Sequence, residues 1–187
     1  MEYLSTKLTD YILKKGMIHQ NNYKIYQYGF QIFLELFINI LCSAIIAVFL
    51  HMEIECLLFF AVFIPLRSYN GGFHMNSYLS CLLLSCITLA SVLLITKYFT
   101  APPLLSYLLY TASVLLIVTL GPVNHPDRDV DSVEDTQFKK RTKRTLVFSF
   151  ISSIIFLLSG KHSYLFLESL VFTLVSTTLL LGRIKYS

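Results

Sequence analysis

Charge is what this chain has least of. Only 14% of its 187 residues are Asp, Glu, Lys or Arg, while 55% are hydrophobic and the mean hydropathy is +0.65. A soluble domain carries about 25% charged and about 45–50% apolar residues, so the deficit points to lipid as the solvent for much of the chain. Cys42, Cys56, Cys81 and Cys86 form no Cys-x-x-Cys pair, which argues against a disulfide framework and against a zinc site. Cys42, Cys56 and Cys86 sit in apolar surroundings and read as small packing residues. The five histidines are scattered, with no His-x3-His spacing, so neither a metal nor another cofactor is expected. No basic stripe interleaved with aromatics is present, which excludes nucleic acid as a partner class. No Gly-x4-Gly-Lys-Ser/Thr occurs, so the chain brings no ATP site of its own. The first 28 residues contain no cleavable apolar core, and the first apolar segment is expected to stay as a membrane anchor.

What is present is a series of apolar runs. The length suits a single integral membrane domain over 1–187, with 1–28 as an amphipathic N-terminal segment and 29–187 as membrane helices and loops. Leu4, Leu8, Tyr11 and Ile12 recur at helical spacing, which predicts a helix lying at a membrane surface or packing on the rest of the protein, ended or kinked near Gly16. Apolar segments follow over 29–52, 54–66, 79–96, 104–120, 146–158 and 164–181. The fold class expected is therefore all-α and polytopic, with about six transmembrane or re-entrant helices behind the amphipathic one. Residues 54–66 make a run of 13, short of the ~20 that a span needs. That run is either re-entrant or lengthened by polar residues buried in protein, and Pro65 is expected to bend or end it.

Basic residues orient this set. With a cytoplasmic N-terminus and six crossings, 13 of the 15 Lys and Arg residues fall inside, and only Lys97 and Lys161 fall outside. Both termini are then expected in the cytoplasm of a multi-pass cell-membrane protein, as is the connection after residue 66. Gln31, Glu35 and Asn39 share one face of the first apolar helix. Glu35 either snorkels to the headgroups or lines a polar cavity. The run Lys139-Lys140-Arg141-Thr142-Lys143-Arg144 reads as a positive-inside anchor, and is also suited to an acidic peptide or anionic lipid.

The polar stretch Arg67–Cys81 carries the candidate chemistry. It holds Arg67, the pair Gly71-Gly72, His74 and, seven residues later, Cys81. In one straight helix His74 and Cys81 would lie about 10.5 Å apart along the axis, too far for proton transfer. A working pair requires His74 to lie off the helix and fold back over it. The Gly71-Gly72 pair permits such a path, and Asn76 or Ser77 suits the N-cap. Cys81 would then stand near the positive end of a helix dipole, which favours thiolate, as would a protonated His74. A thiol with a nearby base is the equipment of a cysteine nucleophile.

These residues resemble the accessory gene regulator B (AgrB) family of membrane-embedded cysteine endopeptidases from Gram-positive quorum-sensing systems. Arg67, Gly71, Gly72, His74 and Cys81 ahead of an apolar helix carry the likeness. Gly121-Pro-Val-Asn-His-Pro126 before a basic segment supports it, and the likeness spans nearly the whole chain. It implies His74 and Cys81 as the catalytic pair and an AgrD-like propeptide as substrate. The acidic C-terminal tail would be cut off through a Cys81 acyl-enzyme, and a peptide thiol or hydroxyl would then close a thiolactone or lactone ring. Arg67 would steady the oxyanion or the peptide carboxylates, Glu35 would orient His74, and the family suggests a homodimer. The rival expectation is a peptide exporter or transporter subunit, which would form no covalent peptide adduct on Cys81.

Overall fold

A computed structural model describes residues 2–71, 78–99, 101–121 and 132–186. Seven α-helices account for nearly all of them: α1 (Glu2–Lys14), α2 (Tyr23–Leu50), α3 (Glu53–Asn70), α4 (Tyr78–Tyr98), α5 (Pro103–Leu120), α6 (Ser132–Leu158) and α7 (His162–Tyr186). No strand occurs among the described residues. The protein is all-α, as its composition and periodicity predict. Four helices, α2, α4, α5 and α7, are long and apolar enough to cross a membrane. The helices α3 and α6 carry too much charge to meet that measure, and both pack against α7.

The boundaries follow from local chemistry. Gly16, at φ +69°, lies just past α1, in the left-handed region that a helix end needs and that glycine adopts at little cost. Pro103 starts α5 at the position where a missing N–H costs nothing. Two cations close helix ends at a distance in sequence. Lys97 Nζ donates to the carbonyl of Leu50 at 2.8 Å, and Arg183 Nη1 donates to that of Leu120 at 2.9 Å. Each meets the negative end of a helix dipole and satisfies a carbonyl that no backbone N–H of its own helix can reach.

The alternatives left open for the short run 54–66 are decided in favour of the lengthened one. Pro65 does not end the short apolar run, because α3 continues through it to Asn70 and is 18 residues long. Proline removes one backbone donor and crowds the preceding turn. Leu66, fully buried on the next position, and the contacts of α3 with α6 and α7 hold the helix through that defect. The helix is thereby lengthened by Arg67, Ser68, Tyr69 and Asn70, to about 27 Å, close to the ~30 Å of a bilayer core. The run Lys139–Arg144 and the apolar stretch 146–158 belong to one helix, α6.

The core is organised around α7. Leu165, Leu167, Val171, Phe172, Val175 and Leu179 are all essentially inaccessible. Phe59, Val62 and Leu66 of α3 and Leu89 and Leu93 of α4 join the same apolar cluster. Against α5, the Tyr110 ring meets Phe172 edge-on at 4.8 Å, and the hydroxyls of Ser113 and Thr173 pair at 3.1 Å. Buried Ser106, Ser113, Ser149, Ser153, Ser169 and Ser176 allow close helix approach. At the other extreme, α1 packs on α2 through its polar side. Ser5 and Thr9 are buried, Asp10 accepts from the Tyr23 hydroxyl at 2.7 Å and Thr6 from Gln27 at 3.0 Å. Leu4, Leu8 and Tyr11 are left facing outward. Such a helix suits a membrane surface, with its apolar stripe in the lipid.

Candidate functional site

The α3–α4 connection brings three sequence features to one end of the bundle. Arg67 occupies the last turn of α3, and its Nη1 donates to the Gly71 carbonyl at 2.7 Å. Gly71 itself has φ 71° and ψ −141°, a conformation that an L side chain seldom adopts, and its N–H returns to the Arg67 carbonyl at 3.1 Å. Arg67 and Gly71 therefore clamp each other through side chain and backbone, which sets the direction in which the chain leaves α3. Cys81 falls in the first turn of α4, half-buried, near the positive end of the helix dipole. The Ser85 hydroxyl donates to the Cys81 carbonyl at 2.9 Å, within the same helix.

The basic segment of α6 joins this end. Asn70 is buried, its Nδ2 donating to the Leu66 carbonyl at 3.0 Å and its Oδ1 accepting from Thr142 Oγ1 at 3.3 Å. One residue earlier, Tyr69 stacks on Phe138 with ring centroids 6.2 Å apart, and the Arg141 guanidinium lies 5.5 Å from the centre of the Tyr69 ring. The last turn of α3 is thus bolted to the stretch of α6 that carries Lys139, Lys140, Arg141, Lys143 and Arg144. All five cations are exposed beside it. Lys143 also lines a lateral groove of about 410 Å³ between α5 and α6, whose other walls include Tyr110, Val114, Val118, Leu146 and Phe150.

Glu35 lies half-buried on α2, with its Oε1 accepting from Gln31 Nε2 at 3.1 Å. Helices α2 and α4 run parallel, since Lys97 reaches Leu50 at their C-terminal ends and the Cys86 thiol meets that of Cys42 lower down. From that shared level Glu35 lies seven residues back along α2 and Cys81 five residues back along α4, which separates them by only ~3 Å along the axes. The carboxylate and the thiol occupy one depth in the bundle. Of the other residues singled out in the sequence, Gly72, His74, Asn76 and Ser77 lie outside the described residues, as do Pro122 to Pro126. No cluster of metal-ligating residues occurs among the described ones.

Three groups escaped the sequence reading. Asn70 and Thr142 are 72 positions apart, and nothing in either local stretch signals their hydrogen bond. Glu168 did leave a signal: it is the lone carboxylate in the apolar run 164–181. An intramembrane carboxylate marks a functional site by default, and this one is only 4% exposed.

Comparison with known proteins agrees with the sequence likeness. The family model described as Accessory gene regulator B matches residues 5–181. A protein of Lactiplantibacillus plantarum, described as AgrB-like, is 26% identical over 180 residues, covering 92% of this chain and 87% of its own length. No solved structure matches the chain.

Proposed function

This chain belongs to the AgrB family, and from that premise we propose that it is a membrane-embedded cysteine endopeptidase and peptide cyclase acting on an AgrD-like propeptide. The observation that carries the reading is the attachment of the basic stretch of α6 to the last turn of α3, at the end of the bundle where Cys81 begins α4. A peptide with an acidic tail finds there both cations to hold the tail and a thiol to attack the bond before it.

In the proposed reaction the Cys81 thiolate adds to the scissile carbonyl. Collapse of the tetrahedral intermediate breaks the C–N bond, and the departing amine takes its proton from His74. The remaining peptide is a thioester on Cys81 Sγ. A side-chain thiol or hydroxyl within that peptide then attacks the thioester carbonyl, gives its proton to His74 and releases the Cys81 thiolate. Ring closure competes with hydrolysis, so a half-buried nucleophile at the membrane serves the cyclase step by limiting water. Arg67 is assigned the role of holding Gly71, and through it the path of the connection that carries His74. Glu35, at the depth of Cys81, is assigned to orient the base. The positive-inside bias supports a cytoplasmic position for this end of the bundle.

The test is co-expression with an AgrD-like propeptide that has an acidic tail. Cys81→Ala and His74→Ala are each expected to abolish tail cleavage while membrane insertion is retained. Mass spectrometry of the wild-type protein should find a hydroxylamine-sensitive peptide adduct on Cys81. Undiminished processing by either variant removes the mechanism, and cleavage without any adduct removes the acyl-enzyme.

A further inference from the structure

The basic stretch of α6 presents cations on two sides. Arg141 and Thr142 face α3, where they meet Tyr69 and Asn70. Lys143, two residues after Arg141, stands on the opposite side of the helix. There it lines the lateral groove of about 410 Å³ between α5 and α6. Lys139 lies one turn earlier on that face, and Leu146, Val147 and Phe150 follow one and two turns later. Lys143 is exposed and pairs with no carboxylate among the described residues.

The groove is graded from charged to apolar. The Tyr110 hydroxyl donates to Ser149 Oγ, so these two residues share a level. The pairs Ser113–Thr173 and Leu120–Arg183 make α5 parallel to α7, and α6 enters α7 through a short turn, so α5 and α6 are antiparallel. From the Tyr110 level, Val118 lies eight residues on and Lys143 six residues back, ~12 and ~9 Å toward the same end. Along α6 the groove extends ~10.5 Å from Lys143 to Phe150, within the ~15 Å of hydrocarbon in one leaflet.

The lining selects the occupant. Leu115, Val118, Val147 and Phe150 are exposed, so the groove opens sideways to lipid. Its two hydroxyls are already used, Tyr110 on Ser149 and Thr111 on carbonyls of its own helix. A peptide lying there would bring backbone donors and acceptors that these walls leave unsatisfied in the membrane interior. An acyl chain brings none. At the charged end Lys143 matches a phosphate, and basic pockets between membrane helices bind anionic headgroups. A zwitterionic headgroup would set its own ammonium beside Lys143 and the cations of the neighbouring turns, so a net negative headgroup is favoured.

We propose that the α5–α6 groove binds one anionic phospholipid from the leaflet on the basic side. Its phosphate meets Lys143, and one acyl chain lies along Val114, Leu146 and Val147 toward Phe150. Seated there, the lipid joins α5 to α6 beside the contact of Thr142 with Asn70, and steadies the helix that carries the basic run. This inference does not depend on the peptidase reading.

The experiment uses the full chain in phosphatidylcholine vesicles that contain phosphatidylglycerol with a photoactivatable diazirine in its acyl chain. After irradiation, labelled positions are mapped by mass spectrometry. Labelling is expected to concentrate on 114–118 and 146–150, and to be suppressed by unlabelled phosphatidylglycerol but not by further phosphatidylcholine. Lys143→Gln should lower it about fivefold, the equivalent of ~1 kcal/mol for one basic residue at the membrane surface. Val147→Phe, which fills the groove and leaves every cation in place, should lower it as well. The control Lys161→Gln, at the opposite end of α6, should label as the wild type does. Equal labelling of the groove by phosphatidylcholine carrying the same diazirine overturns the proposal, as does undiminished labelling of Lys143→Gln. Displacement of the probe by a soluble acidic peptide but not by unlabelled phosphatidylglycerol also overturns it and assigns the groove to a peptide. Should Lys143→Gln fail to insert, the Val147→Phe arm and the competition between the two unlabelled lipids decide the question.

Discussion

Helices α2 and α7 invert the rule learned from soluble proteins. The most apolar window of α2 is only 11% buried inside the protein, while that of α7, which is the less hydrophobic of the two, is 61% buried. Phe33, Phe37, Ile45 and Phe49 of α2 point away from the bundle, whereas Glu168, Ser169, Thr173 and Ser176 of α7 are turned into it. In water the hydrophobic effect would drive the α2 side chains inward. In lipid that drive is missing, and helices associate through close packing and interhelical hydrogen bonds. Within this membrane protein, hydrophobicity alone does not mark the inside, which holds small polar groups beside packed apolar ones. The same logic explains α1, whose serine and threonine face the protein and whose leucines do not.

The contrast yields ordered predictions. The largest effect is expected for Phe172→Ala, which empties a fully buried site against Tyr110 and should cost about 3–5 kcal/mol, measured by steric-trap unfolding in bicelles. Phe49→Ala on α2 deletes the same ring from an 83% exposed site and should stay within about 0.5 kcal/mol. Equal losses at the two positions would break the comparison. Adding bulk sharpens it next. Ser169→Leu on α7 overfills a buried helix contact and should cost about 1–3 kcal/mol, while Ala44→Leu on the outward side of α2 should be neutral in the same assay.

A third test separates stability from the site. Thr142→Val keeps the volume but removes the hydrogen bond to Asn70, and should cost about 1 kcal/mol. If α6 positions its cations through this contact, cleavage of a propeptide with an acidic tail should fall several-fold more than cleavage of one whose tail is neutralised. A uniform loss on both peptides would make the contact purely structural. The smallest effect is expected at Lys97, where Lys97→Met removes a cationic cap from an exposed helix end and should cost about 0.3–1 kcal/mol, diminishing with salt.

Much of the architecture was legible because lipid imposes length and composition directly on each segment. The runs ending near Leu50, Tyr98, Leu120 and Leu181 became α2, α4, α5 and α7, and Gly16 and Pro102-Pro103 stand at helix boundaries as their backbone preferences dictate. Arg67, Gly71 and Cys81 were picked out by residue type, and the structure adds a mutual clamp between the first two. For the run 54–66 the sequence left two alternatives open, re-entrant or lengthened, because local preference at Pro65 does not decide between them. The burial of Leu66 beyond the proline accompanies the longer helix.

The sequence by itself determined that the chain is a helical membrane protein, because hydropathy and run length act on one segment at a time, and it supplied the residues of the AgrB likeness. Only the tertiary structure decided which faces of those helices meet. It set Asn70 against Thr142, Tyr69 against Phe138, and the hydroxyls of α5 and α6 around Glu168. These pairings join residues up to 72 positions apart, so no local pattern encodes them. They arise when buried polar groups, denied water by the membrane, find their partners on neighbouring helices.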